Sequence, residues 1–318
     1  MKWILKNERV CETDTCEIRE KEVGAFVLGD TDAARLLPKR TRDSHKGTYG
    51  KAGIVAGSKQ YTGAAYLATA ACLRSGVGYT TLFAPSYVVE KGIWRLPEAL
   101  LCSLNEGDKV AFNEKNLEKL LSLDALSYGM GLGVDREVAF GVKFLLDNYK
   151  GTLILDADAL NSLSTYAVDW LDAMFTQKKC NVILTPHSKE FSRLTGKSVE
   201  EIINAPVEIA KAYAKRWQVT ILLKNAFSVI TDGDKVYINE TGNSGQAKAG
   251  SGDVLSGLLT GLCASGVKAF DGAVLAPYIV GVATEIATRD ISEYSVTASD
   301  ISSHIGLVFL RLTENTDK

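Results

Sequence analysis

From about residue 51 onward, the chain alternates between short, strongly apolar segments and longer segments in which apolar residues recur every three or four positions. A continuous apolar run of a few residues is typical of a strand buried on both faces of a sheet. The longer period is typical of a helix that buries one face. The short runs predict eight strands, at residues 52–56, 79–83, 125–129, 152–155, 182–184, 219–223, 228–231 and 236–238.

The segments between these strands predict six helices, near residues 63–75, 136–148, 189–194, 205–216, 253–265 and 270–289. Strands that alternate with helices indicate a parallel sheet covered by helices on both faces. Asp232 and Gly233 stand between two β-branched runs, which predicts a tight hairpin turn. The pattern therefore predicts an α/β fold: a doubly wound, mostly parallel sheet flanked by helices, with a β-hairpin at its edge.

The first forty residues differ from the rest because they are polar and only weakly periodic. We interpret residues 1–40 as an N-terminal extension. Residues 41–318 contain no composition shift, proline-rich linker or repeat of 20 to 50 residues, so we expect them to form a single domain.

Composition excludes several classes of partner. A net charge of -2 over 318 residues predicts neither a nucleic-acid surface nor a membrane-binding patch. The six cysteines contain no CxxC pair, which favours reduced thiols over a disulfide framework or a zinc site. The N-terminus lacks the apolar core of a secretory signal, and we find no stretch of the roughly 20 apolar residues that a spanning helix needs. We expect a soluble, cytoplasmic protein.

The stretch NSGQAKAGSGDVLSGLLTG, residues 243–261, places glycines where a helix is predicted to begin, although glycine weakens helices. Amides at a helix start point outward and carry partial positive charge, so the small residues 249–252 would let a phosphate approach them. Asp253 would then lie beside that phosphate as a general base. A second interpretation stays open, because glycines here also fit close packing of the helix against the sheet, with Asp253 an ordinary N-terminal carboxylate. The sequence has neither GxxxxGK[ST] nor a GxGxxG that follows a strand and opens a helix.

The segment AGSGD before an apolar helix resembles the anion-hole motif of the ribokinase-like superfamily, in which the aspartate is the catalytic base. Further segments narrow the resemblance over residues 38–312 to the ADP- or ATP-dependent NAD(P)H-hydrate dehydratases. These segments are SHKGTYGKAGIVAGSKQYTGAAYLATAACLRSGVGYTTL (44–82), GMGLG (129–133), LDADALN (155–161), LTPHSKEFSRLTG (184–196), LLKNAFSVITDG (222–233) and the glycine-rich stretch itself.

The resemblance implies a reaction in which the S-epimer of hydrated NADH or NADPH is converted back to NAD(P)H. ADP, or ATP, would phosphorylate the ring hydroxyl, and elimination would follow, giving AMP from ADP together with phosphate. Asp253 would take the hydroxyl proton, and the amides of Gly250 and Gly252 would stabilise the developing charge. Such an enzyme is a carbon–oxygen lyase that repairs a damaged metabolite.

The resemblance also implies contacts to the hydrate and to a metal ion. Ala64, Gly131 and His187 match positions that contact the hydrate, together with Asp253. HSKE resembles the N-x-x-E motif that organises magnesium and phosphate in the superfamily, so Glu190 is expected to act on Mg²⁺ through water. Met130 departs from the more usual Gly-Pro-Gly of the family.

The nucleotide is expected to contact Gly252 and the segment that matches the family's Lys-Gly-Ala-x-Ser, made here by Lys224, Asn225, Ala226, Phe227 and Ser228. Asn225 replaces the glycine, and asparagine tolerates left-handed backbone geometry better than most residues. Lys248, just before the anion hole, is a further departure from the family pattern. It has two interpretations, contact with the β-phosphate or solvation.

Two other functions remain open on the sequence. A ribokinase-like small-molecule kinase acting on a hydroxymethyl or hydroxyethyl heterocycle would use the same base and anion hole. A nucleotide sensor would keep the fold without turnover, which the presence of Asp253 disfavours.

The resemblance further implies a homo-oligomer, as a tetramer, with NADHX, NADPHX and ADP or ATP as small-molecule partners. We expect ADP to be the preferred nucleotide. Residues 1–40 are too few for the epimerase domain fused to many relatives, so we expect functional pairing with a separate NAD(P)H-hydrate epimerase.

Overall fold

The computed structural model of the chain describes residues 25–92, 95–105 and 107–314. Within these ranges one sheet contains nine strands in the order β3-β2-β1-β4-β5-β6-β7-β8-β9. The strands from β3 to β7 in this order pair in parallel, and β8 and β9 join them in antiparallel fashion. The strands are β1 (Lys51–Val55), β2 (Tyr79–Ala84), β3 (Leu100–Ser103), β4 (Ala125–Tyr128), β5 (Thr152–Leu155), β6 (Asn181–Leu184), β7 (Thr220–Leu223), β8 (Ser228–Thr231) and β9 (Val236–Asn239).

Helices cover both faces of the sheet. Thirteen α-helices lie in the described ranges: α1 (Asp30–Leu36), α2 (Thr62–Leu73), α3 (Ser86–Gly92), α4 (Glu114–Glu118), α5 (Arg136–Asn148), α6 (Asp158–Tyr166), α7 (Leu171–Thr176), α8 (Ser188–Thr195), α9 (Val199–Asn204), α10 (Pro206–Trp217), α11 (Ser251–Ala264), α12 (Ala269–Ile291) and α13 (Ala298–Glu314). Short 3-10 helices span Lys46–Tyr49, Val168–Trp170 and Ser244–Gln246.

The core has two layers because successive strand residues point to opposite faces of the sheet. In β1, Ile54 packs with the buried side chains of α2, α11, α12 and α13, whereas Val55 packs with those of α5, α6 and α10. Strands buried in this way on both faces explain the near-continuous apolar runs in the sequence.

The strand order of the sheet changes direction between β1 and β4. Strands β1 to β3 proceed toward one edge, and the chain then returns to place β4 beside β1 and proceeds toward the other. Ligands of open α/β sheets bind at such a switch point, outside the carboxyl ends of the strands. The loops after β1, β4, β5, β6 and β7 meet at this edge.

The predicted fold class is confirmed, including the hairpin at the sheet edge. Its turn forms as expected, because Gly233 has a φ of +99° and the Asp232 carboxylate accepts hydrogen bonds from the amides of Asp234 and Lys235.

Several elements of the structure were not predicted from the sequence. Strand β3 was not predicted, and neither were seven helices, α1, α3, α4, α6, α7, α9 and α13. β3 is the outer strand on its side of the sheet and is only partly buried, so LLCS is not embedded in a buried apolar run. Helices α4, α7 and α9 have five or six residues, too few for a periodic pattern.

The expectation that no stretch is long and apolar enough to span a membrane is wrong for α12. By length and composition its 23 residues qualify, with a mean hydropathy of 1.3 in the best window. However, 72% of that window is buried inside the fold. A helix that packs on several sides is apolar all round, which is how a core helix reaches this hydropathy.

The described part of the predicted N-terminal extension packs on the domain. Phe26 bonds to β9 through its backbone, with its amide 2.9 Å from the Val236 carbonyl and its carbonyl 2.9 Å from the Ile238 amide. Asp30 in α1 accepts hydrogen bonds from Tyr278 of α12 and Arg311 of α13. The division at residue 40 stays a prediction.

The predicted reduced state of the cysteines agrees with the four that the structure describes. Cys72, Cys102, Cys180 and Cys263 are free, and burial raises the pKa of the Cys72 and Cys263 thiols to about 12. Cys11 and Cys16 lie outside the described residues.

Candidate active site

The start of α11 is open to an anion. The residue before the helix is Gly250, and no described side chain caps the first turn. The amides of Gly252 and Asp253 have no hydrogen-bond acceptor among the described residues. By contrast, α5 and α8 begin with the side chains of Asp135 and His187 accepting from their first amides. A helix start with unpaired amides and a positive dipole end is a site for phosphate.

Gly250 and Gly252 are glycines for two different reasons. Gly250 has a φ of +96°, and a Cβ there would lie 2.5 Å from Leu67 Cδ1 and 3.0 Å from Ala298 Cβ. A side chain at residue 250 is therefore excluded by both strain and crowding. At Gly252, a Cβ would instead lie 3.5 Å from the Nζ of Lys224, in the space above the helix start.

Glycines further along the same helix permit close packing, but against α2 rather than against the sheet. A Cβ at Gly257 would lie 1.9 Å from the backbone oxygen of Ala68, and one at Gly261 would lie 1.9 Å from Ser75 Oγ. These two glycines let α11 approach α2 closely. The glycine-rich stretch thus combines an open helix start with a helix–helix contact. Binding of a phosphate at residues 249–252 stays a prediction.

Asp253 lies in the first turn of α11 and is half-buried. Burial raises the pKa of its carboxyl to about 7, with further raising by Asp156 and Asp158 and opposing lowering by the Lys224 ammonium. A carboxylate with a pKa near neutral pH is suited to accept a proton at physiological pH.

Lys224 and Asp156 form a buried ion pair beside this helix start. Lys224 follows β7 and Asp156 follows β5, and their Nζ and Oδ1 atoms are 2.8 Å apart. The Asp156 side chain is only 2% exposed. Its Oδ2 accepts from Ser256 of α11 at 2.6 Å, and its Oδ1 accepts from the Ala157 amide at 2.9 Å. Burial lowers the pKa of Lys224, but nearby carboxylates, led by Asp156, raise it by more.

Asp156 is a site residue that the sequence analysis did not select. Its position after a strand, in LDADALN, was visible in the sequence. A second signal is in the backbone: Ala157 has a φ of +49°, which is rare for a residue with a side chain and is typical of functional sites.

The predicted hydrate contacts Ala64 and Gly131 lie together. Ala64 is in the first turn of α2. A Cβ on Gly131 would lie 3.0 Å from Ala64 Cβ and 2.7 Å from Tyr61 Cβ, and Gly131 has a φ of +67°. One turn further along α2, Leu67 contacts Gly250, so the same helix touches both predicted subsites.

Met130 does not disturb the loop between Gly129 and Gly131. Its side chain is fully buried in the core, and its carbonyl accepts from the Gly57 amide at 2.8 Å. The same loop is joined to the one after β5, because the Gly133 amide donates to Asp158 Oδ2 at 2.8 Å.

His187 and Glu190 form a reciprocal cap at the start of α8. His187 Nδ1 accepts from the amides of Lys189 and Glu190, and Glu190 Oε2 accepts from the His187 amide at 2.9 Å. Because Nδ1 is an acceptor, the ring proton of neutral His187 is on Nε2. Burial, followed by Lys224 and Arg193, lowers the pKa of His187, which favours that neutral form.

Glu190 is buried, with a side chain only 6% exposed. Burial raises its pKa, opposed by Lys224 and reinforced by Asp156. Among the described residues, no group of three or more His, Cys, Asp or Glu side chains could hold a metal ion. Glu190 by itself offers carboxylate oxygens, the ligand type that Mg²⁺ prefers. The contact of Glu190 with Mg²⁺ through water stays a prediction.

The predicted nucleotide segment is the connection between β7 and β8. Its backbone is joined to the His187 loop, since the Lys224 amide donates to the Pro186 carbonyl at 2.8 Å. Asn225 and Ala226 are exposed, whereas Phe227 packs against the core on the α10 side of the sheet. Ser228 begins β8.

Asn225 does not use left-handed geometry. The described non-glycine residues with positive φ are Ala157, Gln218 and Ser292. Instead, Asn225 Oδ1 accepts from Ser188 Oγ at 2.7 Å. The residue that replaces the family's glycine thus links the nucleotide segment to the start of α8.

Lys248 does not point freely into solvent. Its Nζ donates to the backbone carbonyl of Tyr294 at 2.6 Å. This contact ties the residues just before the anion hole to the connection between α12 and α13.

The chain is similar to known proteins over most of its length. The family model described as NAD(P)H-hydrate dehydratase matches residues 52–306. A bifunctional NAD(P)H-hydrate repair enzyme Nnr of Moorella thermoacetica is 37% identical over 286 residues, covering 88% of this chain and 53% of the relative. The chain thus spans about half the length of the bifunctional relatives it matches.

A second relative is similar over nearly its whole length. The ADP-dependent (S)-NAD(P)H-hydrate dehydratase of Bacillus subtilis is 34% identical over 277 residues, covering 86% of this chain and 94% of the relative. The crystal structure of an ADP/ATP-dependent NAD(P)H-hydrate dehydratase from Bacillus subtilis, co-crystallized with ATP/Mg²⁺, has a TM-score of 0.77 and 31% identity. It covers 89% of this chain and 97% of that one. The chain therefore belongs to the NAD(P)H-hydrate dehydratase family and has its ribokinase-like fold.

Proposed function

We propose that the chain is an ADP-dependent NAD(P)H-hydrate dehydratase that converts the S-epimer of hydrated NADH or NADPH back to the intact cofactor. The observation that carries the proposal is the open start of α11, with Asp253 in its first turn and Lys224 beside Gly252. This arrangement combines a base, a set of unpaired amides and a cation, which together suit transfer of a phosphoryl group to a hydroxyl.

The nucleotide's terminal phosphate would bind at the amides that precede Val254. The Gly252 and Asp253 amides and the Lys224 ammonium would stabilise negative charge as it develops on the transferred group. The segment from Asn225 to Ser228, which follows Lys224, would contact the rest of the nucleotide.

Asp253 would accept the proton of the ring hydroxyl as its oxygen attacks phosphorus. The bond from phosphorus to the remaining nucleotide breaks, which gives AMP when the nucleotide is ADP. The ring then carries a phosphate ester, a far better leaving group than hydroxide. Departure of that phosphate from the ring carbon, with loss of a proton from the neighbouring carbon, restores the double bond of the dihydronicotinamide.

The hydrate would be held beside Ala64, one turn before Leu67 on the same face of α2. Ala64 and Gly131 form a small, close-packed surface on which a flat ring could lie. His187, whose Nε2 lies 3.4 Å from Glu190 Oε1, would contact the hydrate from the loop after β6.

A magnesium ion bound with the nucleotide would screen the phosphate charges during transfer. Glu190 would contact its waters rather than the ion itself. Support for ADP comes from the Bacillus subtilis relative, whose name gives ADP dependence. We keep ATP as the second nucleotide.

The runner-up, a small-molecule kinase acting on a hydroxymethyl or hydroxyethyl heterocycle, would share the base and the anion hole. The family match disfavours it. The two functions differ in their products: the kinase releases a stable phosphorylated heterocycle, whereas the dehydratase releases free phosphate.

The deciding experiment incubates the purified chain with S-epimer hydrated NADH, magnesium and either ADP or ATP. The dihydronicotinamide absorbance should recover, with one AMP and one phosphate released per NADH when ADP is used. A hydroxyethyl thiazole and a hydroxymethyl pyrimidine serve as parallel substrates. If the absorbance does not recover and one of the heterocycles is phosphorylated, the kinase function would replace the dehydratase function.

We further propose a homotetramer, a cytoplasmic location and functional pairing with a separately encoded epimerase. The free state of the four described cysteines supports a reducing compartment. Light scattering tests the tetramer, and addition of an epimerase to a mixture of both hydrate epimers tests the pairing, because complete repair would then require both proteins.

A further inference from the structure

Beside the proposed base lies a buried unit of three side chains from three separate elements. Asp156, just after β5, accepts from Ser256 in the second turn of α11, and it pairs with Lys224, just after β7. Both oxygens of Asp156 are thereby engaged, and a third donor, the Ala157 amide, is fixed by a strained backbone. A carboxylate so completely bonded has one orientation.

The orientation of Asp156 determines that of Lys224. A lysine side chain has four rotatable bonds and normally occupies many rotamers. Here the ammonium is held 2.8 Å from Asp156 Oδ1 and only 3.5 Å from the point where a Cβ on Gly252 would lie. The cation is thus held over the open start of α11 before any nucleotide binds.

We propose that Asp156 is a positioning residue for the phosphoryl transfer: bonded by Ser256 and Ala157, it holds the Lys224 ammonium where the transferred phosphate is bound. This inference rests on the proposed function. A group held in place in advance costs no reorganisation during the reaction, and misplacing it by about 1 Å can reduce the rate about 100-fold.

Asp156 and Lys224 also act on the proposed base in opposite directions. Asp156 raises the pKa of Asp253, and Lys224 lowers it. Other charged groups face this unit from the neighbouring loops: Asp158 acts on Asp253, Glu190 acts on Lys224, and His187 and Arg193 lie near Glu190. These groups are unchanged in variants of Asp156 and Lys224, so such variants report the effect of the pair itself.

The first test measures the pH profile of kcat/KM for Asp156→Asn and Lys224→Met. Removing the Asp156 charge should move the acidic limb to lower pH, and removing the Lys224 charge should move it to higher pH. Both variants should lose about 10- to 100-fold in kcat/KM at the optimum. A merely structural role predicts a loss of activity with no shift of the pH profile. That result would overturn the proposal.

The double variant tests whether Asp156 acts through Lys224. If it does, Asp156→Asn combined with Lys224→Met should be no worse than Lys224→Met alone, because effects within one unit are not additive. Multiplied losses would show two independent roles and contradict the proposal. Asp172→Asn and Lys178→Met are matched controls, since Asp172 pairs with Arg216 and Lys178 donates to the Phe175 carbonyl, outside this unit.

A binding measurement separates this proposal from the proposed function. ADP affinity, measured by calorimetry without hydrate, should fall about 10-fold or more in Asp156→Asn and in Lys224→Met. If the wild-type chain binds ADP but repairs no hydrate, the proposed function fails, yet these affinities still decide whether Asp156 positions Lys224.

Ser256→Ala provides a second route if Asp156→Asn does not fold. It removes only the hydrogen bond to Asp156 Oδ2 and leaves every charge in place. ADP affinity should fall about 3- to 10-fold, the effect of one hydrogen bond to a charged group, with the melting temperature measured in parallel. Wild-type affinity in a folded Ser256→Ala protein would contradict the proposal.

Discussion

The Nζ of Lys224 lies 3.5 Å from the position that a Cβ on Gly252 would occupy. Lys224 lies just after β7, and Gly252 lies in the first turn of α11. The space between them is bounded by an ammonium group on one side and by unpaired amides on the other. A bound phosphate would contact both.

Gly252→Ala should therefore impair nucleotide binding without weakening the fold. The new methyl group would occupy the space next to the ammonium, whereas alanine in a helix is more stable than glycine by about 1 kcal/mol. We expect ADP affinity to fall about 10-fold or more, the usual effect of losing a charge-assisted contact. Calorimetry and thermal melting measure the two effects separately.

Gly257→Ala is the matched comparison within the same helix. Its methyl group would lie 1.9 Å from the Ala68 carbonyl oxygen, so α11 and α2 must separate. We expect a loss of about 1–3 kcal/mol in the free energy of unfolding, as for other overpacked sites. If Gly252→Ala destabilised the protein as much as Gly257→Ala, both glycines would serve packing alone.

Gly131→Ala should raise the KM for the hydrate and leave ADP affinity unchanged. Its methyl group would crowd Ala64 and Tyr61, on the surface where the nicotinamide ring is proposed to lie. Gly133→Ala is the control, because Gly133 also has a positive φ, +85°, but has open space around its Cβ position. The two variants share the backbone strain, so any difference in KM reports the crowding. Equal KM values would remove Gly131 from the hydrate site.

The activity should depend on pH through Asp253. As the proposed base it must be unprotonated, and its pKa is raised to about 7, so kcat/KM should fall about tenfold per pH unit below pH 7. A profile that stays flat down to pH 5 would exclude this carboxyl as the base.

The stability of the folded state should also depend on pH through Asp253, but it should fall as pH rises, whereas the activity should rise. In the unfolded chain Asp253 loses its proton near the ordinary carboxyl pKa of about 3.9, but the folded chain holds it until about 7. The folded state binds more protons in that window, so the stability contributed by Asp253 is lost as pH rises through it. Asp253→Asn should thus raise the melting temperature at pH 8 more than at pH 5. The same gain at both values would contradict the raised pKa.

Asn225 and Ser188 should act as one unit in nucleotide binding. Each of Asn225→Gly and Ser188→Ala removes the 2.7 Å hydrogen bond that joins the nucleotide segment to α8. We expect each to weaken ADP binding by about 2- to 10-fold, the usual range for one hydrogen bond, and the double variant to be no weaker. Fully additive losses, measured by calorimetry, would show that the hydrogen bond does not hold the loop.

The fold was largely readable from the sequence because its strands are buried on both faces. An apolar run such as TLIL, residues 152–155, has few alternatives to a central strand. Helix α13 was missed although its pattern was present: Ile301, Ile305, Val308 and Leu312 recur at helical spacing and are buried. Thr297 and Asp300 before them form reciprocal capping contacts, the signal that would have marked its start.

The site was only partly predictable, because some of its residues are far apart in the sequence. Asp253, Gly250 and Gly252 fall within one short motif, and the resemblance supplied the others. The partners of Asp156 are 68 and 100 residues away, at Lys224 and Ser256. Neither spacing has a local pattern, so only the strand order brings these side chains together.

The most direct test of the central claim is Asp253→Asn, measured for both single-turnover phosphate release and ADP affinity. The account predicts a loss of about 100- to 10,000-fold in the rate, the usual contribution of a general base, with ADP affinity kept within about threefold. Asp172→Asn, a carboxylate paired with Arg216 on the surface, should retain the wild-type rate. Wild-type phosphate release from folded Asp253→Asn protein would contradict the claim that this carboxylate deprotonates the attacking hydroxyl.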